Sequence, residues 1–311
     1  MANARLGALD QLRGLAVVAM AVYHFSWDLT WFHLVDWPVA NGRGWRAFAA
    51  AIAGSFLFLS GVTLSLAHGD TIRWRPLLRS KILLLIAAVG VSTATYFVFS
   101  STFVRFGILH CLFLSGLLAL PFLGADWRLT LLAAVGIGTL PTWGSFPYFD
   151  GQLWLWTGLG RPDFGSVDYV PLAPWAGFVL AGLAFVQSPL YPKIQNRLQN
   201  VRTRPYLQWL GRHSLAIYIL HQPLLFGLLW IPANVGLLPD PAKSRFVESC
   251  AAVCSVTEGA NQPCTNICRC TVDALIDDQL WDPLVAAPDN SELRQKMNDR
   301  YAQCATKLVT D

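Results

Sequence analysis

Hydrophobic residues gather into long runs along roughly the first three quarters of this 311-residue chain. A helix needs about 20 apolar residues to cross the hydrocarbon core of a bilayer. Inside a bilayer, each segment must also satisfy its own backbone hydrogen bonds. The runs therefore predict transmembrane helices. We place seven of them, at 12–33, 47–67, 80–100, 105–124, 128–143, 168–187 and 213–233.

The pattern changes at residue 237, beyond which polar residues prevail. We expect an all-α protein with two parts, a membrane domain over 1–236 and a small soluble tail over 237–311. The end of the tail has helical periodicity, because five residues spaced three or four apart share one face. They are Leu293, Met297, Tyr301, Cys304 and Leu308.

Composition supports a membrane protein. Hydrophobic residues make up 54% of the chain and charged residues only 14%, against about 25% charged in soluble domains. The tail carries a net charge of −4 and the rest of the chain +8. A basic membrane body is expected from loops that stay in the cytoplasm, so the charge does not indicate a nucleic-acid partner.

The basic residues predict the orientation. They cluster at the N-terminus, after the second predicted span and after the sixth, which seven spans would place on one side of the membrane. By the positive-inside rule that side is the cytoplasm, so the N-terminus is expected there and the tail on the opposite, periplasmic side. The residues are Arg5, Arg13, Arg73, Arg75, Arg79, Lys81, Lys193, Arg197, Arg202, Arg204 and Arg212.

The tail holds six of the seven cysteines. An even number of cysteines in a segment outside the cytoplasm predicts disulfides. Two i, i+4 pairs on helices that run antiparallel across a turn at 259–263 could close two bonds, which leaves one further pair. A zinc site is the alternative, but the tail contains no histidine. The candidates are Cys250, Cys254, Cys264, Cys268, Cys270 and Cys304.

The first predicted helix carries the strongest candidate chemistry. A histidine inside a membrane span is costly to bury and is a functional candidate. His24 follows Arg13 by eleven residues, which places both on one face of a helix, and Asp28 follows His24 by four. An acid beside an imidazole can fix its tautomer. We expect His24 to act as a base, Asp28 to orient it, and Arg13 to stand at the cytoplasmic entrance.

These residues carry a family resemblance. Leu9-Asp10-Gln11-Leu12-Arg13-Gly14 and His24 resemble the first helix of the transmembrane acyltransferase superfamily. Residues 7–233 are most similar to the branch of heparan-α-glucosaminide N-acetyltransferase and its bacterial relatives; the tail lies outside the resemblance. The supporting segments are Phe106–His110, Pro171–Trp175, Gly211–Tyr218 and His221–Pro223.

The resemblance implies transfer of an acetyl or similar acyl group from acyl-coenzyme A, bound from the cytoplasm, to an acceptor on the other face. The lysosomal member of the branch has Asn where this chain has His24, and its catalytic His lies farther on. His33 is the nearest counterpart here, although its spacing does not match. His24 and His33 are both candidates for the base, and we favour His24.

Further candidates line the predicted site. Arg13, Arg79 and Lys81 could hold the phosphates of acetyl-coenzyme A, although Arg79 and Lys81 also fit plain positive-inside topology. The second group could line the site or bind an acceptor, but its members could equally serve helix packing or interfacial anchoring. That group is His110, His221, Gln222 and Arg105.

The sequence thus predicts an acyl-coenzyme A-dependent acyltransferase that modifies a glycan or glycolipid and needs no metal. The alternative is a proton-coupled transporter or flippase that uses the same buried groups, although no internal repeat is visible. No P-loop, serine-hydrolase or zinc-protease motif is present. We expect a bacterial inner membrane as the location, and the sequence allows a homodimer.

Overall fold

The computed structural model describes residues 7–69, 71–161, 165–238, 240–257 and 263–310. These residues are mostly helical, which confirms the predicted all-α fold. The helices are α1 (Gly7–Trp31), α2 (Arg43–His68), α3 (Trp74–Val98), α4 (Ile108–Leu118), α5 (Trp127–Trp143), α6 (Leu172–Gln187), α7 (Tyr191–Gln199), α8 (Pro205–Arg212), α9 (Ser214–Asn234), α10 (Pro241–Thr257), α11 (Cys264–Asp277), α12 (Trp281–Ala286) and α13 (Ser291–Thr310).

Each of the seven predicted spans overlaps one of these helices, but the bounds and lengths differ. Within the described residues, α2, α3 and α9 are long and apolar enough to cross a membrane. The pair α6 and α7, bent by 87°, could count as a fourth span. α4, α5 and α6 have only 11, 17 and 16 residues. The chain is an integral membrane protein, and the count of seven spans stays a prediction.

The chain divides into two compact units. The first comprises the chain up to His24 together with Ala40–Pro223, and α6 is central to it because α2, α4 and α5 pack against α6. Leu57, Val179 and Leu183 are fully buried in its core. Reciprocal glycines bring α2 and α6 together, because a Cβ at Gly61 would meet the Val179 carbonyl and one at Gly182 the Phe58 carbonyl.

The connection after α5 is rich in aromatic side chains. It forms two short 3-10 helices, Pro147–Asp150 and Gln152–Thr157, and Trp143, Phe146 and Tyr148 are exposed. Residues 162–164 of this connection lie outside the described part of the chain.

The second unit comprises Phe25–Val39 and the chain from Leu224 onward. In its tail, α11 packs against α10, α12 and α13, around buried Leu275 and Trp281.

Three disulfides staple the tail, which confirms the prediction from its cysteines. They join Cys250 to Cys268, Cys254 to Cys264 and Cys270 to Cys304. The i, i+4 spacing succeeds because each pair presents both sulfurs on one face of α10 or α11. Of the other tail expectations, residues 259–262 of the predicted turn and the side chain of Leu308 lie outside the described residues, as does the N-terminal Arg5.

Candidate active site

Two histidines from distant parts of the sequence meet in the first unit. His24 lies on α1 and His221 on α9, with ring centroids 4.8 Å apart and an interplanar angle of 66°. Tyr23 packs edge-on against His24 at 5.5 Å. The sequence predicted both histidines as site residues without predicting their contact, and the structure brings these two together.

The hydrogen bonds of His221 define where its proton lies. Nδ1 of His221 is 2.6 Å from the carbonyl oxygen of Tyr218. Because a carbonyl can only accept, Nδ1 is the donor and carries the proton. Nε2 of the neutral ring therefore holds a lone pair. That atom is buried and has no hydrogen-bond partner among the residues that the structure describes.

A buried carboxylate holds Tyr218, the next member of this chain of contacts. The Tyr218 hydroxyl donates to Oδ2 of Asp168 at 3.2 Å, and the backbone N–H of Ile108 donates to the same oxygen at 3.0 Å. Asp168 lies in the connection before α6. The sequence did not single out Asp168; the only available signal was a lone acid just before the Pro171–Trp175 segment.

An ion pair joins the two ends of the first unit's sequence. Asp10, only 2% exposed, accepts from Nε of Arg212 at 3.1 Å. Asp10 lies in the segment Leu9–Gly14 and Arg212 in the segment Gly211–Tyr218, both of which carry the family resemblance. The pair therefore gives two of those segments a shared structural role, since it ties α1 to α8 beside the helix that carries His221.

Comparison with known families identifies one family for this chain. Residues 5–223, more than two thirds of the chain, match the family described as heparan-alpha-glucosaminide N-acetyltransferase, catalytic. The chain belongs to this acetyltransferase family. No curated protein and no solved structure matches it.

The match in the acetyltransferase family covers His24 and His221 and ends at Pro223. The disulfide-stapled tail lies beyond it. The resemblance seen in the sequence is confirmed at the level of the family, and the chain is a membrane protein of the acetyltransferase type.

The candidate coenzyme contacts are dispersed in this family member. Nη2 of Arg13 donates to the hydroxyl of Thr63 and, at 3.3 Å, to the carbonyl of Leu59, both on α2. Arg79 is exposed near the start of α3. α3 begins at Trp74, earlier than the span predicted from residue 80, so Arg79 lies within the helix instead of on a connection.

Lys81 is buried, contrary to a solvated topological role. It is 7% exposed, and Nζ donates to the carbonyl oxygens of Leu112 at 3.2 Å and Phe113 at 3.5 Å. Gly116 leaves the space for this ammonium group, because a Cβ there would overlap Nζ. Lys81 thus joins α3 to α4.

His110 has both ring nitrogens engaged. Nδ1 accepts from the backbone N–H of Gly107 at 3.2 Å, and Nε2 lies 3.4 Å from Oγ of Ser92. Since that hydroxyl donates to the carbonyl of Val104 at 2.6 Å, Nε2–H is the donor to Ser92. His110 therefore caps the start of α4 and cross-links it to α3.

The two remaining candidates of the first unit differ in their contacts. Arg105 donates to the carbonyl of Gly165 at 2.9 Å and lies over the ring of Phe103 at 4.4 Å, so its guanidinium anchors the connection before α6. Gln222 is partly buried on α9 and directly follows His221.

The other two predicted catalytic residues belong to the second unit. Asp28 is fully buried. His33 has φ 54°, and it ends α1 in a Schellman motif: its N–H bonds the carbonyl of Thr30 at 3.1 Å, and the N–H of Leu34 bonds that of Leu29 at 2.9 Å. Nδ1 of His33 is 3.5 Å from Oε1 of Glu248. His33 thus has a helix-capping role and an acidic neighbour in the tail.

Proposed function

We propose that this protein transfers an acetyl group from acetyl-coenzyme A to an amine or hydroxyl of a glycan or glycolipid across the membrane. His24 is the general base in this proposal. The contact between His24 and His221 carries it, because two imidazoles in a largely apolar bundle are costly to retain without a proton-transfer role. Membership of the acetyltransferase family supports the reaction type.

The chemistry needs a group that can both take and return a proton. The acceptor nitrogen or oxygen forms a bond to the acetyl carbonyl carbon, the bond from that carbon to sulfur breaks, and sulfur takes the electron pair. His24 takes the proton from the acceptor and returns it to sulfur. Coenzyme A then leaves as a thiol, and the imidazole is neutral again. Imidazole suits this task because its ordinary pKa lies close to neutrality.

Acetyl-coenzyme A, the acetyl donor, carries phosphates that need cationic side chains. The described residues supply some of these side chains. Arg75 and Arg79 are exposed in the first turns of α3, where their guanidinium groups could pair with phosphate oxygens. Arg13 and Lys81 already donate to protein groups. Arg79 is therefore the donor contact that this proposal favours, with Arg13 placed to hold α1 against α2.

The test is acetyl transfer by the purified full chain in detergent, with an amino sugar as acceptor. Release of coenzyme A can be followed with a thiol reagent, because the free cysteine that the structure describes, Cys111, is buried. We expect turnover by the wild type and a loss of about 10²–10⁴-fold in His24→Gln, the usual contribution of a general base.

The matched control is His213→Gln, since His213 is an exposed histidine that contacts Trp209. Its turnover should equal that of the wild type. Equal activity of His24→Gln and wild type would exclude His24 as the base. Proton transport across the vesicle membrane without any acetyl transfer would favour the transporter alternative.

A further inference from the structure

The lone pair on Nε2 of His221 requires a donor. A buried acceptor without a hydrogen bond is destabilising, because it has lost its hydration without gaining a partner. This side chain is 8% exposed, and the Nε2 atom has no partner among the described residues. The atom is buried, so a neighbouring side chain is the donor that the fold supplies most directly.

His24 is placed to be that donor. The structure records no hydrogen bond between the two rings, but their centroids are only 4.8 Å apart. A rotation of the His24 ring can therefore bring one of its nitrogens to about 3 Å from Nε2, the distance of an ordinary hydrogen bond. Among the described residues, Tyr218 is the second ring beside His221, at 5.6 Å, but its hydroxyl already donates to Asp168. The N–H of His24 is therefore the donor with the best access.

We propose that His221 is the positioning residue of His24. It accepts the single N–H of the neutral His24 ring and thereby fixes one tautomer, which leaves the lone pair of the other nitrogen for the acceptor's proton. The catalytic consequence rests on the proposed function, whereas the tautomer itself does not. This is the orienting role that a carboxylate plays in other histidine sites, filled here by an imidazole.

Contacts behind His221 fix its own direction. The Nδ1–H of His221 donates to the carbonyl oxygen of Tyr218. The hydroxyl of Tyr218 in turn donates to Asp168, which also accepts from the backbone N–H of Ile108. The orientation of His24 is thus set from the connection before α6, through α9, to α1.

The proposal replaces the orienting role that the sequence assigned to Asp28. A neutral imidazole has one N–H, so only one acceptor can orient it while the second nitrogen stays free as a base. If His221 takes that N–H, Asp28 cannot. The two assignments therefore make opposite predictions for the same measurement.

That measurement is solid-state NMR of the full chain, labelled with ¹⁵N-histidine and placed in liposomes without substrate. The ring-nitrogen shifts separate protonated from unprotonated sites, and comparison with His24→Gln assigns the His24 signals. We expect a single neutral tautomer of His24 in the wild type and an exchanging mixture in His221→Leu. His221 itself should be in the Nδ1–H form.

His221→Gln is the second variant, because its amide oxygen can replace Nε2 as an acceptor. It should restore one tautomer of His24 and keep the proposal testable if His221→Leu fails to fold. A single unchanged tautomer in both His221 variants, or its loss in Asp28→Asn alone, would overturn the proposal. So would a wild-type His24 that exchanges between tautomers.

The kinetic counterpart separates this inference from the proposed function. His221→Leu should lower kcat about 10–100-fold, as is usual for a residue that orients a functional side chain, with the KM for acetyl-coenzyme A unchanged. His221→Gln should recover most of the kcat. Full kcat in His221→Leu would overturn the positioning role and leave acetyl transfer intact, whereas absence of turnover in the wild type would refute the proposed function and leave the NMR result standing.

Discussion

The two candidates for the base, His24 and His33, differ in their backbone conformation and in their contacts. His33 has the left-handed backbone that ends α1, a conformation in which Asn and Gly are common and most side chains are not. His24 has helical backbone within α1 and faces a second imidazole. The structure thus gives His33 a local structural role that needs no reactive imidazole.

We therefore predict that His33→Asn keeps acetyl transfer within about twofold of the wild type, because Asn accepts the left-handed conformation. The Tm of thermal unfolding should be unchanged or slightly higher. The measurement is the initial rate of transfer beside a melting curve of the same preparation. Loss of transfer in a variant with normal melting would move the base from His24 to His33.

The sequence singled out His24 and His221 as candidates because isolated histidines stand out in apolar runs. It could not identify Asp168 as their support. The partners of Asp168, Ile108 and Tyr218, are 60 and 50 residues away, and no periodicity connects a loop carboxylate with a backbone N–H and a phenol so distant. Contacts between such distant residues depend on how α4, α6 and α9 pack together, and this packing cannot be predicted from the pattern of a single sequence.

Helices account for the different environments of Lys81 and Arg79, which are two residues apart on α3. Side chains two apart on a helix point in different directions. Lys81 turns towards the carbonyls of α4, while Arg79 is exposed. The sequence alone grouped the two residues, because both are basic and lie near the predicted cytoplasmic end of the third span.

Replacing Arg79 or Lys81 by Met should have different effects on the KM for acetyl-coenzyme A. Arg79→Met should raise the KM for acetyl-coenzyme A about tenfold or more, because a charged hydrogen bond contributes about 1.5–3 kcal/mol. Lys81→Met should leave that KM unchanged, since its ammonium group is bound to Leu112 and Phe113. Saturation curves at low and high salt measure both values. A higher KM for Lys81→Met alone would reverse the assignment.

The helix positions show what the hydrophobic pattern can and cannot predict. It located all seven helices of the predicted spans, and α9 at Ser214–Asn234 matches the prediction within a residue. It overestimated α4, whose last turn gives way to the 3-10 segment Leu120–Phe122 around Pro121. Apolar runs continue past helix ends, so the pattern cannot locate a break that backbone geometry imposes.

At the scale of the whole molecule, the tail depends on its disulfides. The bond from Cys270 to Cys304 closes the longest of the three loops, with a sequence separation of 34. A disulfide that closes a loop of this length stabilises the folded state by about 4 kcal/mol through loop-closure entropy. Such bonds persist in oxidising compartments, and the periplasmic side of the tail stays a prediction.

Alkylation of the denatured full chain checks this directly. Before reduction, one of the seven cysteines should take up the reagent, because Cys111 is the free thiol and six others are paired. After reduction, all seven should react. Six or seven modified cysteines before reduction would contradict the stapled tail and, with it, the oxidising location.

In the proposed reaction the acetyl group crosses the membrane, and transfer in sealed proteoliposomes measures this most directly. Radiolabelled acetyl-coenzyme A is added outside, an amino sugar is trapped inside, and the position of the labelled product is recorded. We predict acetylated sugar within the vesicles and free coenzyme A outside for the wild type, with neither for His24→Gln. Labelled sugar that forms only when donor and acceptor share one compartment, or equal product from His24→Gln, would contradict the account.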